Sequence, residues 1–257
     1  LSEPTPVADV PSLDAIGPGD FVCIAHRGAA ALAPENTMVA YRAAYASGLR
    51  LLEQDARLLA DGALAVMHDA SVDRLTDGRG DVRGFDTAAY RALRVDARRF
   101  PQFAQQTIAP ALFDEVLAEF RGRAVLVPEA KDVGSGAPMV AALQRAGIAR
   151  EHALVQSFLL EELRPAVDAG YPAIYLSRTD EGIDAVKAAG VGWAGIWKGA
   201  SDTVFRAWIE AGFRVIAYTV DDHAERDRLR GLGVQGMFSD DPFALMAGLP
   251  SDLRCVY

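Results

Sequence analysis

From residue 138 onward, amphipathic runs that stop at glycine alternate with short apolar runs. The runs at 138–146, 160–169, 181–189, 202–211 and 224–232 read as helices, and Gly147, Gly170, Gly190, Gly212 and Gly233 follow them. Glycine ends helices because the closing residue takes a left-handed conformation that a Cβ disfavours. The runs at 153–157, 173–177, 193–197, 215–220 and 236–239 read as buried strands. A helix closed by glycine and followed by a short strand is the repeating unit of a parallel sheet. Earlier in the chain, 21–25 and 124–128 also read as strands. Residues 37–47 read as a helix that Asn36 or Thr37 can cap and Gly48 can end. This many units in 257 residues predicts an eight-stranded (β/α)8 TIM barrel in preference to a doubly wound sheet.

Hydrophobic residues make up 51% of the chain, enough for one large core. Residues 21–257 are read as one barrel domain. Residues 1–20, with Pro4, Pro6, Pro11, Pro18, Gly17 and Gly19, are read as a linker-like tail. The tail has neither the basic start nor the apolar centre of a signal peptide. That favours the cytoplasm, while a signal removed before Leu1 would place the chain in the periplasm or outside. A net charge of −9 argues against nucleic-acid binding, which rewards clustered Lys and Arg. No apolar stretch is long enough for a membrane span. Cys23 and Cys255 are too few for a disulfide framework and read as free thiols.

Residues 71–109 interrupt the alternation. They hold seven arginines against five aspartates, with no lysine or glutamate, in an otherwise acidic chain. Arginines near a catalytic rim would offset repulsion of an anionic substrate. Phe85, Tyr90, Phe100 and Phe103 could add an apolar wall, so this segment is expected to set substrate choice. The alternative is a small cap whose arginines pair with its own aspartates.

Two of the four histidines, His26 and His68, end apolar runs and are expected at the carboxyl face of the barrel. Histidines there suit acid and base roles. Arg27 offers a planar charged fork for phosphate oxygens. Glu53 and Asp55, two apart, would share one face of a strand, and Glu129 ends a later strand. Three carboxylates at strand ends suit a hard divalent cation, Mg2+ or Ca2+. Taken alone, each of these residues also has an ordinary structural reading: a hydrogen-bonded histidine, a surface ion pair, a solvated charged face.

The order and spacing of the fragments say more. His26-Arg27-Gly28, Pro34-Glu35-Asn36-Thr37, Glu53-Gln54-Asp55, Asp61-Gly62, His68-Asp69, then Arg74 and Thr76-Asp77-Gly78-Arg79-Gly80 together resemble the glycerophosphodiester phosphodiesterase family. Glu129-Ala130-Lys131, Gln156-Ser157-Phe158, Tyr218-Thr219-Val220 and Ser239-Asp240-Asp241-Pro242 extend the likeness more thinly. The resemblance implies the barrel, an insertion like 71–109 after an early strand, and a strand at 49–60, where periodicity alone would predict a helix. It implies catalytic His26 and His68, a metal held by Glu53, Asp55 and Glu129, and substrate contacts from Arg27, Lys131 and Tyr218. Tyr218 stands where the family usually has tryptophan. Pro128, unable to donate to a ladder, predicts irregular geometry beside Glu129. Nine strand candidates for eight barrel positions predict one irregular strand, in the 49–67 region.

The implied activity is metal-dependent hydrolysis of a small-molecule glycerophosphodiester, such as glycerophosphocholine or glycerophosphoethanolamine, to sn-glycerol 3-phosphate and an alcohol. The alternatives are a phospholipase D-like enzyme acting on lysolipids, weakened by the lack of an evident apolar anchor, and an inactive phosphoester-binding barrel.

Overall fold

Eight parallel strands close on themselves in the computed structural model, which describes residues 12–253 and 255–257. They are β1 (Phe21–Ala25), β2 (Leu51–Leu58), β4 (Val125–Ala130), β5 (Val155–Ser157), β6 (Ala173–Ser177), β7 (Trp193–Trp197), β8 (Arg214–Tyr218) and β9 (Gly236–Ser239). Each neighbour pair is parallel, and β1 closes the ring by pairing with both β9 and β2. A helix follows every barrel strand: α1 (Met38–Ala46), α2 (Phe113–Phe120), α3 (Gly136–Arg145), α4 (Leu160–Asp168), α5 (Ile183–Ala188), α6 (Asp202–Glu210), α7 (His223–Leu232) and α8 (Pro242–Met246). This is the (β/α)8 TIM barrel. The short β10 (Cys255–Val256) adds to β1 outside it.

The strands are apolar on both faces because both are buried. Val22, Ile24, Leu51, Val125, Val127, Leu154, Ile174, Leu176, Ile216 and Phe238 fill the barrel interior. Alternate residues such as Cys23, Leu52, Leu126 and Val155 pack outward with the helices. This double burial explains why periodicity misleads at 49–60. Leu49, Leu52, Ala56 and Leu59 mimic a helical stripe, yet Leu51 and Leu52 are both fully buried, on opposite faces of β2.

The ninth strand candidate, β3 (Leu64–Val66), lies outside the ring. It runs antiparallel to the end of β2, with Ala56 opposite Val66 and Leu58 opposite Leu64. β2 therefore overshoots the rim, turns, and comes back down through β3. Pro128 leaves the ladder between β4 and β2 intact. Val125 N donates to Arg50 O and Lys131 N to Ala56 O, so odd-numbered residues face β2. Pro128 faces β5, to which it cannot donate, and pairing there narrows to Glu129 opposite Gln156, the irregularity that the proline predicts.

Residues 12–20 are built into the fold, unlike the linker-like tail read from sequence; residues 1–11 lie outside the described part. Leu13 and Ile16 join the interior cluster. The Arg214 guanidinium donates to Ile16 O at 3.1 Å and Gly17 O at 2.7 Å. The segment closes the amino-terminal end of the barrel, opposite the site.

Candidate active site

The period of two that fills the interior also builds the site. Each interior-facing series runs from aliphatic to chemical: Val22, Ile24, His26; Leu51, Glu53, Asp55; Val125, Val127, Glu129, Lys131; Leu154, Gln156, Phe158; Ile174, Leu176, Arg178; Ile216, Tyr218. These side chains meet at the carboxyl end in a cavity of about 480 Å³ that also contains His68, Trp197, Lys198 and Asp240.

Both histidines are held at Nδ1 by a carboxylate. His26 Nδ1 lies 2.6 Å from Asp240 Oδ1, and His68 Nδ1 lies 2.8 Å from Asp69 Oδ1. His26 also packs edge-on to Phe238, with centroids 6.5 Å apart. His68 is not at the end of a barrel strand, as its sequence context predicts. The descending β3 brings it to the rim, where Met67 N donates to Asp55 O at 2.8 Å. Burial, partly offset by Asp55, lowers the His68 pKa.

Glu53, Asp55 and Glu129 are buried and converge, with one oxygen from each lying within 4.8 Å of the others. Asp55 sits opposite Glu129 in the β2–β4 register. Lys131 Nζ is 3.2 Å from Asp55 Oδ1 and 3.0 Å from Glu129 Oε1. Burial and then repulsion from Asp55 raise both glutamates, Glu129 to about 7 and Glu53 well above its ordinary value. Burial also opposes charge on Asp55, but Lys131 and Arg27 override it and hold its pKa down. The donor set fits a hard divalent cation: all ligand atoms are carboxylate oxygens. Asp55 Oδ1, near Lys131, still makes no hydrogen bond of good geometry.

Arg27 sits in a tight turn after His26, in the left-handed region with φ 53°. Its N–H donates to Glu53 Oε2 at 2.6 Å, and its Nη1 to Glu35 Oε1 at 2.8 Å. Gly28 makes the turn possible. It has φ +80°, and a Cβ there would lie 2.9 Å from the Tyr41 ring. The Pro34–Thr37 fragment serves both readings open to it. Thr37 caps α1 by accepting from Ala40 N at 3.1 Å. Asn36 donates to Asp55 Oδ2 at 2.7 Å and is itself held by the Tyr41 hydroxyl at 2.8 Å. Glu35 bridges Arg27 and Arg74, and Arg74 Nε donates to Asp69 Oδ2 at 2.5 Å. A continuous network thus runs from Arg27 through Glu35, Arg74 and Asp69 to His68.

All eight site residues expected from sequence come to this rim, with Tyr218 forming a cavity wall through its ring and donating to Ser177 O at 3.0 Å. Sequence reasoning assigned no site role to Glu35, Asp69, Arg74 or Asp240 and offered Asn36 only as a helix cap, although each stands in a recognised fragment. The segment 71–109 does not line the cavity. Tyr90 is buried in a separate small core with Val72 and Val82, and Phe85 packs against that core. Arg91 pairs with Glu115, Arg98 with Asp96, and Arg74 reaches the histidine only from behind. The expected substrate wall is therefore absent, and the segment is a cap that braces His68. A further correction concerns apolar anchors. Phe158 and Trp197 are exposed on the cavity wall, and Val133 and Leu159 are exposed just beyond β4 and β5.

The model of the glycerophosphoryl diester phosphodiesterase family matches residues 26–135, the stretch that carries His26, Arg27, Glu53, Asp55, His68, Glu129 and Lys131. A glycerophosphodiester phosphodiesterase of Bacillus subtilis (strain 168) is 28% identical over 264 residues, covering 93% of this chain and 89% of the relative. The chain is similar to glycerophosphodiester phosphodiesterases in the order and spacing of these residues. A solved family structure, from Agrobacterium tumefaciens, shares 27% identity with a TM-score of 0.72, over 89% of this chain and 99% of that one. The fold is also that of an Oleispira antarctica phosphodiesterase solved in complex with the product sn-glycerol-3-phosphate. That match has a TM-score of 0.75 at 23% identity and covers 88% of this chain and 95% of that one. Among the described residues, no helix is long and apolar enough to cross a membrane.

Proposed function

We propose that this chain hydrolyses glycerophosphodiesters, releasing sn-glycerol 3-phosphate, the product held by the Oleispira antarctica neighbour, and an alcohol. The observation that carries this reading is the pair of carboxylate-held histidines facing one cavity with the carboxylate trio. A carboxylate at Nδ1 orients the ring and leaves Nε2 as the working nitrogen. One histidine takes the proton of the nucleophile, either water or the neighbouring glycerol hydroxyl, as its oxygen bonds to phosphorus. The other gives a proton to the alcohol oxygen as the old P–O bond breaks. Where the glycerol hydroxyl attacks, this step leaves a cyclic glycerol phosphate, and water opens it in a second step with the two histidines exchanging roles. Arg27 is fixed at Nη1 by Glu35 and at Nε beside His26 Nε2 and Asp55, which leaves Nη2 for the phosphate.

Glu53, Asp55 and Glu129 would hold the cation, magnesium or calcium, with Lys131 and Asn36 orienting Asp55. Once bound, the ion would neutralise phosphate charge. The deciding experiment measures release of glycerol phosphate from glycerophosphoglycerol and glycerophosphocholine after verified metal removal, then with magnesium or calcium restored. Calorimetry of metal binding to E53Q, D55N and E129Q gives a second readout. Full activity without metal, or unaltered metal affinity in all three variants, would defeat the assignment.

The exposed Val133, Phe158, Leu159 and Trp197 favour a second reading, hydrolysis of lysolipids. It requires faster turnover of micellar lysophosphatidylcholine than of glycerophosphocholine.

A further inference from the structure

The acids lining the cavity are all engaged. Glu53 accepts from Arg27 N, and Glu129 pairs with Lys131. Asp221 accepts from the Ser239 hydroxyl and from Asp240 N, each at 2.8 Å, and Asp240 holds His26. Cations near the histidines are engaged too, Arg27 by Glu35 and Lys131 by two carboxylates. Two more cations line the same cavity, Arg178 after β6 and Lys198 after β7. Neither makes an ion pair among the described residues, in a chain whose net charge is −9.

Their surroundings are built. Arg178 continues the interior series of Ile174 and Leu176, and its guanidinium lies 5.7 Å from the Trp197 ring centroid. Trp197 lies flat on its own loop because residue 199 is glycine; a Cβ there would come within 2.5 Å of the indole. Another wall is Phe158, edge-to-face on Tyr218 at 5.8 Å. A concave, aromatic-walled space with two cations held in no close ion pair concentrates anions. It disfavours a quaternary ammonium, which would meet two like charges.

We infer that Arg178 and Lys198 form a second anion subsite, so that the preferred substrate carries a negative group, a phosphate or a carboxylate, beyond the scissile phosphate. This rests on the phosphodiester reading of the site. It points away from choline and ethanolamine, whose head groups are cationic.

The test compares glycerophosphoglycerol with the same molecule phosphorylated at its far hydroxyl, and both with glycerophosphocholine. The wild-type chain should favour the phosphorylated substrate by about tenfold or more in kcat/KM, and salt should erode that preference. In R178Q/K198Q the preference should collapse toward unity, and in R178E/K198E glycerophosphocholine should become the best of the three. A glycerophosphoserine arm distinguishes carboxylate from phosphate as the anion. No wild-type preference would overturn the inference. So would an equal loss on all substrates in R178Q/K198Q, which would assign the two cations to the reacting phosphate. Absence of wild-type turnover on all of these substrates with metal supplied would instead defeat the phosphodiesterase reading itself.

Discussion

His26 and His68 share one device, a carboxylate at Nδ1, but the two carboxylates come from opposite ends of the chain. Asp69 is adjacent to His68 in sequence, while Asp240 lies 214 residues from His26. H26A and H68A should each lower kcat by about 10²–10⁴-fold while leaving circular dichroism unchanged. Near-native kcat in either variant would make that histidine structural. D240N keeps the size of the side chain and removes its charge, so kcat should fall with little change in KM. The Glu35–Arg74–Asp69 clamp has a pH signature. Burial opposes charge on Glu35, but Arg74 and Arg27 together outweigh it; Arg74 also holds Asp69 down to about 2. Carboxylates depressed in the folded state lend stability that is complete above their unfolded pKa, at about pH 4, and lost as pH falls toward 2. R74Q should therefore be less stable than wild type at pH 7 by denaturant titration, with the gap closing as pH drops through 4 to 2. A gap independent of pH would show that Arg74 acts by packing alone. Sequence exposed Asp69 and Asp240 only as members of fragments. Nothing in a linear chain says that residue 240 will meet residue 26, because closing the barrel brings β9 beside β1.

At the scale of elements, the site was legible wherever the strand period applied. Glu53, Asp55 and Glu129 follow interior aliphatics by two and four positions, so placing the strands places the carboxylates. It was less legible at β3. An apolar run ending in histidine reads the same whether it climbs in the ring or descends in a hairpin, and only pairing to β2 distinguishes them. The role of 71–109 was misread for a related reason. Its arginines advertise an anion site by composition, but partners such as Glu35, Glu115 and Asp132 lie outside the segment. The turn after β1 offers a test at this scale. G28A forces a Cβ into a left-handed position and against Tyr41, which also holds Asn36. Strain at such a residue costs about 1–3 kcal/mol. G28A should lower stability by that order, and it should also lower kcat/KM, because Arg27 and the Asn36–Asp55 bond move with the turn. Lost stability with native kcat/KM would show that the turn does not position the site.

The whole molecule divides into an end that holds the chemistry and an end that holds the barrel shut. In TIM barrels the carboxyl face carries function and the amino face stability. Here the amino face is closed by residues whose proline- and glycine-rich sequence suggested a tail. Leu13 and Ile16 are 7% and 8% exposed, and both touch the layer formed by Val22, Ile24 and Ile216. Their burial was hidden in the sequence because two apolar residues among turn formers show no period. Truncating a buried Leu or Ile to alanine costs about 2–5 kcal/mol. These two sit at a barrel mouth where neighbours can relax, so each should cost about 2 kcal/mol. L13A/I16A should therefore unfold at clearly lower denaturant, with an unchanged m-value. Its kcat and KM at 25 °C should match wild type, because the interior layers of Leu51, Val127, Leu176 and Phe238 stand between this plug and the cavity. Loss of kcat at full stability would mean that the two ends are coupled through the core, and that residues 12–20 belong to the machinery of the site.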